Sequence, residues 1–300
     1  MDERKTVLVI DFNNFVFASY YGQPLYNMKG LNVSTIIGFF KKLNIIKEMY
    51  DPEFIVFASD LSRDRTFRRK LYSQYKAQRK PMDPELHEQM RYISNLVALL
   101  GFQTLNNETY EADDIMGMIS RYASTKNMKT VLISSDRDLY QLVNDDTTIM
   151  PPRGDKIIDK VYIKSTYGLT PEQWIELKML QGDPSDNIPG IVGIGPKTAV
   201  KLMNDFGSIE NIYKHIELIR PAISDLLIAG ESTLPLTRRL VTILTDYNLI
   251  NLDMRNLYRK RPYPKELYEM LNYLEIKSIL SIMKYSLLPQ PNDKIIIRDN

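Results

Sequence analysis

Three short runs dominated by apolar residues punctuate the first half of the chain: Thr6-Val7-Leu8-Val9-Ile10, Phe54-Ile55-Val56-Phe57-Ala58 and Thr130-Val131-Leu132-Ile133. Continuous rather than alternating, they predict strands covered on both faces. Helical patterns lie between them. Asp83 is placed to N-cap a helix with Pro84 in its first position, and Leu86, Met90, Ile93, Val97 and Leu100 then recur at three and four up to a stop at Gly101. Glu111 to Ala123 predicts a second helix, with Ile115, Met118, Ile119 and Tyr122 on one face. Strands alternating with helices argue for an α/β fold with a mostly parallel central sheet and helices on both faces. Past residue 150 the pattern changes. Pro151 to Asp155 predicts a turn between two short β segments, Pro171 to Leu180 a helix, Gly182 to Pro196 a turn-rich stretch, and the remainder mainly helices to about Tyr285. The expected domains are 1–165 (α/β) and 166–300 (mainly helical), with a loosely held tail from Pro289.

Length agrees, since 300 residues suggest two domains at ~100–200 residues each. With 44% hydrophobic and 25% charged residues the chain can bury a core. No apolar run has the length of a membrane span, and Met1 to Lys5 lead straight into a strand without a signal peptide's apolar stretch. The expectation is a soluble, monomeric protein of the bacterial cytoplasm. The chain has no cysteine, which removes disulfides, thiolate metal sites and cysteine nucleophiles together. Its two histidines, His87 and His215, leave little for a histidine metal site and are expected to be structural, as Trp174 is expected to be a core anchor. Any metal must therefore sit on oxygen, which favours Mg²⁺, Mn²⁺ or Ca²⁺.

The net charge of +2 conceals a local asymmetry. Residues 61–80 carry Arg63, Arg65, Arg68, Arg69, Lys70, Lys76, Arg79 and Lys80 against the single acid Asp64, interleaved with Phe67, Tyr72 and Tyr75. A solvated basic helix is the bland reading. Cations that grip phosphates beside aromatics that stack on unpaired bases are the sharper one, and the run starts directly after Asp60.

All three predicted strands run into acids: Asp11, Asp60, and Asp136 with Asp138. In open parallel sheets the ligand crevice lies beyond these strand ends. Glu111, Asp113 and Asp114 open a helix, and Asp183 and Asp186 sit on a turn. Each cluster alone has an ordinary explanation in helix dipoles, caps or turn chemistry. Together, carboxylates from five segments on one edge would repel strongly unless cations neutralise them. Two hard divalent ions are the familiar solution for phosphodiester cleavage. Gly190 to Ala199, with Gly193, Gly195 and then Pro196 and Lys197 entering a helix, offers a phosphate-binding turn that is not a Walker motif.

Phe67-Arg68-Arg69, Tyr75-Lys76-Ala77-Gln78-Arg79, Glu111-Ala112-Asp113-Asp114 and Gly182-Asp183-Pro184-Ser185-Asp186-Asn187-Ile188-Pro189-Gly190 resemble the 5′-nuclease family. More closely, they resemble the 5′-nuclease domain of bacterial family-A DNA polymerases and the free-standing bacteriophage 5′–3′ exonucleases and flap endonucleases. The resemblance runs in order from Asp11 to about residue 250, and no polymerase domain follows, which points to the free-standing type. It implies that Glu111, Asp113 and Asp60, with Asp11 directly or through water, hold a first Mg²⁺. It implies that Asp136, Asp138, Asp183 and Asp186 form a second-metal group, with Asp113 or Asp114 bridging and Mn²⁺ as a substitute. It makes Lys76 and Arg79 residues of a basic helical arch (about 61–82) at the scissile phosphate, with Tyr75 nearby, and Gly190 to Ala199 a helix–three-turn–helix gripping duplex DNA and able to hold K⁺. Arg68, Arg69, Lys70, Lys178, Gly193, Gly195 and Lys197 complete the expected DNA contacts. Two departures stand out: Asp11-Phe12-Asn13-Asn14 where the family often reads Asp-Gly, and Phe17, Ala18 and Ser19 where some phage members carry a basic residue.

The expected function is metal-dependent cleavage of 5′ flaps and 5′ ends of branched or nicked duplex DNA, in replication or repair. Two other readings are a related two-metal ribonuclease and a branched-DNA binding protein without catalysis. A small ribonuclease domain would end near residue 150, and a binding module would have lost acids that this chain keeps.

Overall fold

A computed structural model describes residues 4–20, 23–61, 64–154 and 156–276. The first half contains β1 (Thr6–Asp11), α1 (Phe12–Tyr20), α2 (Ser34–Tyr50), β2 (Phe54–Ala58), α3 (Phe67–Leu71), α4 (Pro84–Leu99), β3 (Gln103–Leu105), α5 (Ala112–Thr125), β4 (Lys129–Ile133) and β5 (Thr147–Met150). The second half is helical: α6 (Lys160–Tyr167), α7 (Gln173–Gln181), α8 (Pro196–Phe206), α9 (Ile209–Lys214), α10 (Pro221–Gly230), α11 (Leu234–Val241) and α12 (Pro264–Leu274). The expected helices to Tyr285 and the tail from Pro289 extend outside the described residues.

The sheet order is β3-β2-β1-β4-β5, with every neighbouring pair parallel. The chain winds outward from β1 to β3 and crosses back to β4, so β1 and β4 flank the switch point where a crevice must open. Strand alternation explains the uninterrupted apolar runs. Val7, Val9, Val56 and Leu132 face one core with α5, whereas Leu8, Ile10, Phe57, Val131 and Ile133 face the other with α1, α2 and α4. The first of these cores continues without a break into Trp174, Leu177, Leu202 and Leu240 of the helical half.

The expected punctuation is present. Oδ1 of Asp83 accepts the Glu85 and Leu86 amides, and Gly101 ends the following turn at φ +83°. β3 escaped the sequence pattern because it is three residues long. Of the two β segments expected around Pro151, one is β5, which joins the sheet, and the other is a single antiparallel bridge from Ile158 to Ile149. Among the described residues no helix is long and apolar enough to cross a membrane.

Candidate metal and nucleic-acid site

Because β1, β2 and β4 are parallel, their acids emerge at one edge. Asp11 ends β1, Asp60 follows β2 by two residues, and Asp136 follows β4 by three. With Glu111, Asp113, Lys76 and Arg79 they line a cavity of about 210 Å³. Asp11 accepts the Asn14 amide at 3.0 Å and the Ser134 hydroxyl at 2.9 Å. Asp60 accepts the Ala112 amide at 2.8 Å and Asn13 Nδ2 at 3.1 Å, which pins the start of α5 to the end of β2. Burial pushes the Asp11 carboxyl up to about 7, and the charges of Asp60 and Asp136 push the same way against the two hydrogen bonds. Burial also raises Asp113 well above the usual carboxylate range, with Asp136 and Asp11 adding to it.

The basic segment folds down onto this edge. Among its described residues it is helical only over α3, where the Thr66 side chain caps the Arg69 amide, and then proceeds through turns, with Lys76 in the left-handed region at φ +53°. The expected helical arch is therefore corrected: Lys76 and Arg79 reach the site from turns that follow α3, not from a helix. The Lys76 amide donates to the Asp186 carbonyl at 2.8 Å and holds that turn in place. Lys76 Nζ lies 2.6 Å from Glu111 Oε1 and 3.5 Å from Asp186 Oδ2, and Arg79 pairs with Asp186. Burial alone would raise Glu111, but Lys76 and Arg68 hold it below its ordinary value. The buried Tyr75 donates its hydroxyl to Glu111 at 2.8 Å and lies 3.3 Å from Asp186 Oδ2, which places it among the carboxylates and not on an open stacking surface.

Asp138, Asp183 and Asp186 gather in an adjoining cleft with Lys178. Lys178 Nζ lies 2.6 Å from Asp183 and also pairs with Asp138. Burial and Asp136 raise Asp138 to about 6 despite Lys178. Burial would raise Asp183 too, but Lys178 and the Ser185 hydroxyl and amide hold it low. The loop bearing Asp183 and Asp186 is pinched at its base, where a Cβ on Gly190 would lie 2.2 Å from the Gly182 amide nitrogen. Beyond it Gly193 adopts φ +86°, Gly195 precedes α8, and Pro196 takes the first helical position. Gly193, Gly195 and Lys197 are exposed, and space is open around Gly195.

Three expected roles do not fit this geometry. Asp114 is wholly buried, and its two oxygens accept Arg68 Nη1 and Nη2 and the amides of Glu111 and Leu244. All its acceptor sites are filled, so it leaves the metal group. Arg68, expected on DNA, is 3% exposed and spends its guanidinium on Asp114, Glu111 and two carbonyls. Lys178 is buried, and its ammonium is taken up by the carboxylates of Asp138 and Asp183 and not left for DNA. Arg69 binds the Ser73 and Tyr75 carbonyls and so braces the turn that carries Lys76, whereas Lys70 is exposed. Trp174 is buried as expected, and His87 and His215 lie outside the carboxylate cavity. The hydrogen bonds of Asn13 and Ser134 to Asp60 and Asp11 were not foreseen from the sequence, although each lies two residues from a strand-end acid.

The donor set fits hard cations. It consists of oxygens, no ion pair among the described residues neutralises Asp11, Asp60, Asp113 or Asp136, and burial, reinforced by the neighbouring carboxylates, raises Asp11 and Asp113. Among the described residues no three such side chains already converge as a finished ion site.

Comparison with known proteins bears on this arrangement. Residues 6–168 match the family model for the 5′-3′ exonuclease N-terminal resolvase-like domain, and residues 169–265 match that for the 5′-3′ exonuclease C-terminal SAM fold. A 5′-3′ exonuclease of Aquifex aeolicus is 33% identical over 92% of this chain and 94% of its own. The thermostable DNA polymerase I of Thermus thermophilus is 34% identical over 95% of this chain, which spans about a third (34%) of the polymerase. A bacteriophage T5 flap endonuclease, solved with DNA and metal ions, shares the fold at a TM-score of 0.64 and 20% identity, over 90% of this chain and 100% of its own.

Proposed function

The chain belongs to the 5′-3′ exonuclease family, and from that premise we propose that it is a divalent-metal-dependent nuclease that hydrolyses phosphodiesters at 5′ flaps and 5′ ends of branched or nicked duplex DNA. One observation carries the reading: acids from three strand ends and from α5 line a single cavity whose remaining charged groups are Lys76 and Arg79. A polyanionic backbone has no reason to approach such an edge unless cations recharge it.

On this reading Asp11, Asp60, Glu111 and Asp113 would hold one Mg²⁺, and Asp138, Asp183 and Asp186, with Asp136, which lines both hollows, would hold a second, with Mn²⁺ able to substitute. When bound, the ions supply an activated water and neutralise charge on the phosphodiester. Lys76 and Arg79 face the same cavity and place positive charge against the scissile phosphate, where charge grows during reaction. Asn14 and Ser134 fix the Asp11 carboxylate, and Ala112 and Asn13 fix that of Asp60, so both ligands are oriented beforehand. The exposed turn at Gly193 to Lys197, at the start of α8, takes the duplex backbone. The same reading assigns K⁺ to this turn, where Gly193 and Gly195 leave the backbone bare.

The test is incubation with end-labelled 5′-flap, nicked and single-stranded DNA, with product ends mapped. Cleavage should require Mg²⁺ or Mn²⁺, stop in EDTA, and favour flap or nicked duplex over single strands. Full activity in excess EDTA, or binding of flaps that stay intact with either metal, would overturn the reading.

A further inference from the structure

From the last turn of α11 into the segment that follows it, the chain passes between the elements that carry the carboxylates, and its backbone there is held by side chains. Arg68 Nε donates to the Leu240 carbonyl at 2.8 Å and Arg68 Nη2 to that of Thr242 at 2.8 Å. Gln141 Nε2 donates to the Val241 carbonyl at 3.0 Å, and its Oε1 accepts the Ile243 amide at 2.9 Å. Asp114 Oδ1 accepts the Leu244 amide at 2.9 Å. Five successive residues are thus fastened by three side chains from α3, α5 and the 3-10 turn Arg137–Leu142. Gly117 lets the strap lie against α5, because a Cβ there would sit 2.9 Å from both Ile243 Cγ2 and the Leu244 carbonyl.

Each fastener also touches a site element. Arg68 donates to Glu111 Oε2 at 2.9 Å, the Asp114 carboxylate accepts the Glu111 amide at 3.1 Å, and Gln141 Nε2 donates to the Asp138 carbonyl at 2.9 Å. At its other end the strap continues from α11, whose Thr237 hydroxyl donates to the Pro189 carbonyl at 2.6 Å, beside the glycine-rich turn. Arg68 meets five acceptors with five N–H groups, so the junction admits one arrangement.

We propose that residues 240–244 act as a spacer strap that sets the distance between the duplex-gripping turn and the carboxylates, and that Gln141 is a positioning residue for the cleavage register. The proposal rests on the nuclease reading. A duplex seated at Gly193 to Lys197 presents one phosphate to the cavity only if the two regions keep a fixed separation, and a loose strap would bring neighbouring phosphates into reach.

The test uses Gln141→Ala and the isosteric Gln141→Glu, which keeps an acceptor for Ile243 but sets a carboxylate against the Val241 and Asp138 carbonyls. Hydrogen exchange on metal-free protein reads the strap directly: loss of one side-chain acceptor should speed exchange of the Ile243 amide roughly tenfold in Gln141→Ala. Single-turnover cleavage of a labelled flap should then yield products spread over adjacent positions, with DNA binding in Ca²⁺ unchanged. Leu271→Ala, which weakens the core beneath α12 on the other face of the sheet, should keep the parental product length and so separates register from stability. Single-position cutting by Gln141→Ala with a freed Ile243 amide would overturn the strap, as would unchanged exchange at Ile243. Wild-type protein that leaves the flap intact with metal would instead overturn the nuclease reading on which the proposal rests.

Discussion

Lys76 Nζ lies 2.6 Å from Glu111 Oε1, although 35 residues separate the two in sequence and Lys76 must enter the left-handed region to reach it. The pair joins the basic segment to the carboxylate edge at the place where a phosphate would lie. Lys76→Ala should therefore slow cleavage at saturating enzyme by ~10²–10³, the usual cost of removing one preorganised cation from developing charge. Lys70, exposed on α3, supplies the contrast: Lys70→Ala should cleave normally once bound but lose roughly one counterion, a change of ~0.7–0.9 in the slope of log affinity against log salt. Single-turnover rates paired with binding titrations across salt in Ca²⁺ measure both. Identical behaviour of the two variants would make the segment an undifferentiated electrostatic funnel.

A second prediction concerns Arg68. Its removal leaves the buried Asp114 carboxylate without its cation and strands the Leu240 and Thr242 carbonyls. Breaking one partner of such a pair costs ~3–5 kcal/mol, so Arg68→Met should lower the denaturation midpoint far more than loss of any surface cation. Arg255→Ala, which breaks an exposed pair with Asp253, should leave the midpoint where it was. Equal midpoints for the two variants would show that Arg68 is not structural.

pH supplies a third. The folded-state values of Asp11 (about 7) and Asp138 (about 6) stand above the ordinary carboxylate value, so the folded protein holds protons that the unfolded chain releases. Without divalent metal their contribution to stability is fully present below about pH 4 and is lost as pH rises through 6 and 7. Glu111 and Asp183 are held low and act in the opposite direction, but only in more acidic solution. Urea unfolding in EDTA should therefore show stability falling between pH 5 and 7.5, and millimolar Mg²⁺ should remove the fall, because ions compete with protons for these oxygens. A flat profile in EDTA would contradict the crowding of charge at this edge.

The glycines of the turn-rich motif should separate into two kinds. Gly190→Ala forces a Cβ against the Gly182 backbone, which cannot move aside without displacing Asp183. It should destabilise the protein by at least the ~1–3 kcal/mol of an overpacked site and abolish cleavage. Gly195 has open space around it and a φ of −85°, so Gly195→Ala should melt like the parent and change DNA affinity alone. Melting curves beside binding titrations distinguish the two, and a Gly190→Ala protein as stable as the parent would refute the close approach.

The strands were legible because burial on both faces demands unbroken apolar runs, and β1, β2 and β4 satisfy that demand within their own few residues. The helix starts at Asp83 and Pro196 were legible for the same reason: the residues that make them are neighbours in sequence. That the acids after β1, β2 and β4 share an edge followed from parallel winding, a property of order along the chain. What each charged side chain meets did not follow. Arg68 looks like its basic neighbours in sequence, yet it is buried because Asp114, 46 residues away, and the carbonyls of Leu240 and Thr242 converge on it. Asp114 looks like Asp113, but successive residues of a helix point about 100° apart, so one faces the cavity and the other the strap. Lys178 was assigned to DNA by its charge and lies between Asp138 and Asp183 because α7 packs beside the turn after β4. Local pattern decides which segments become strands and helices, since backbone hydrogen bonding and periodicity act over a few residues. Which charges are paired, buried or left facing a cavity depends on groups that only packing of distant segments brings within a few ångströms.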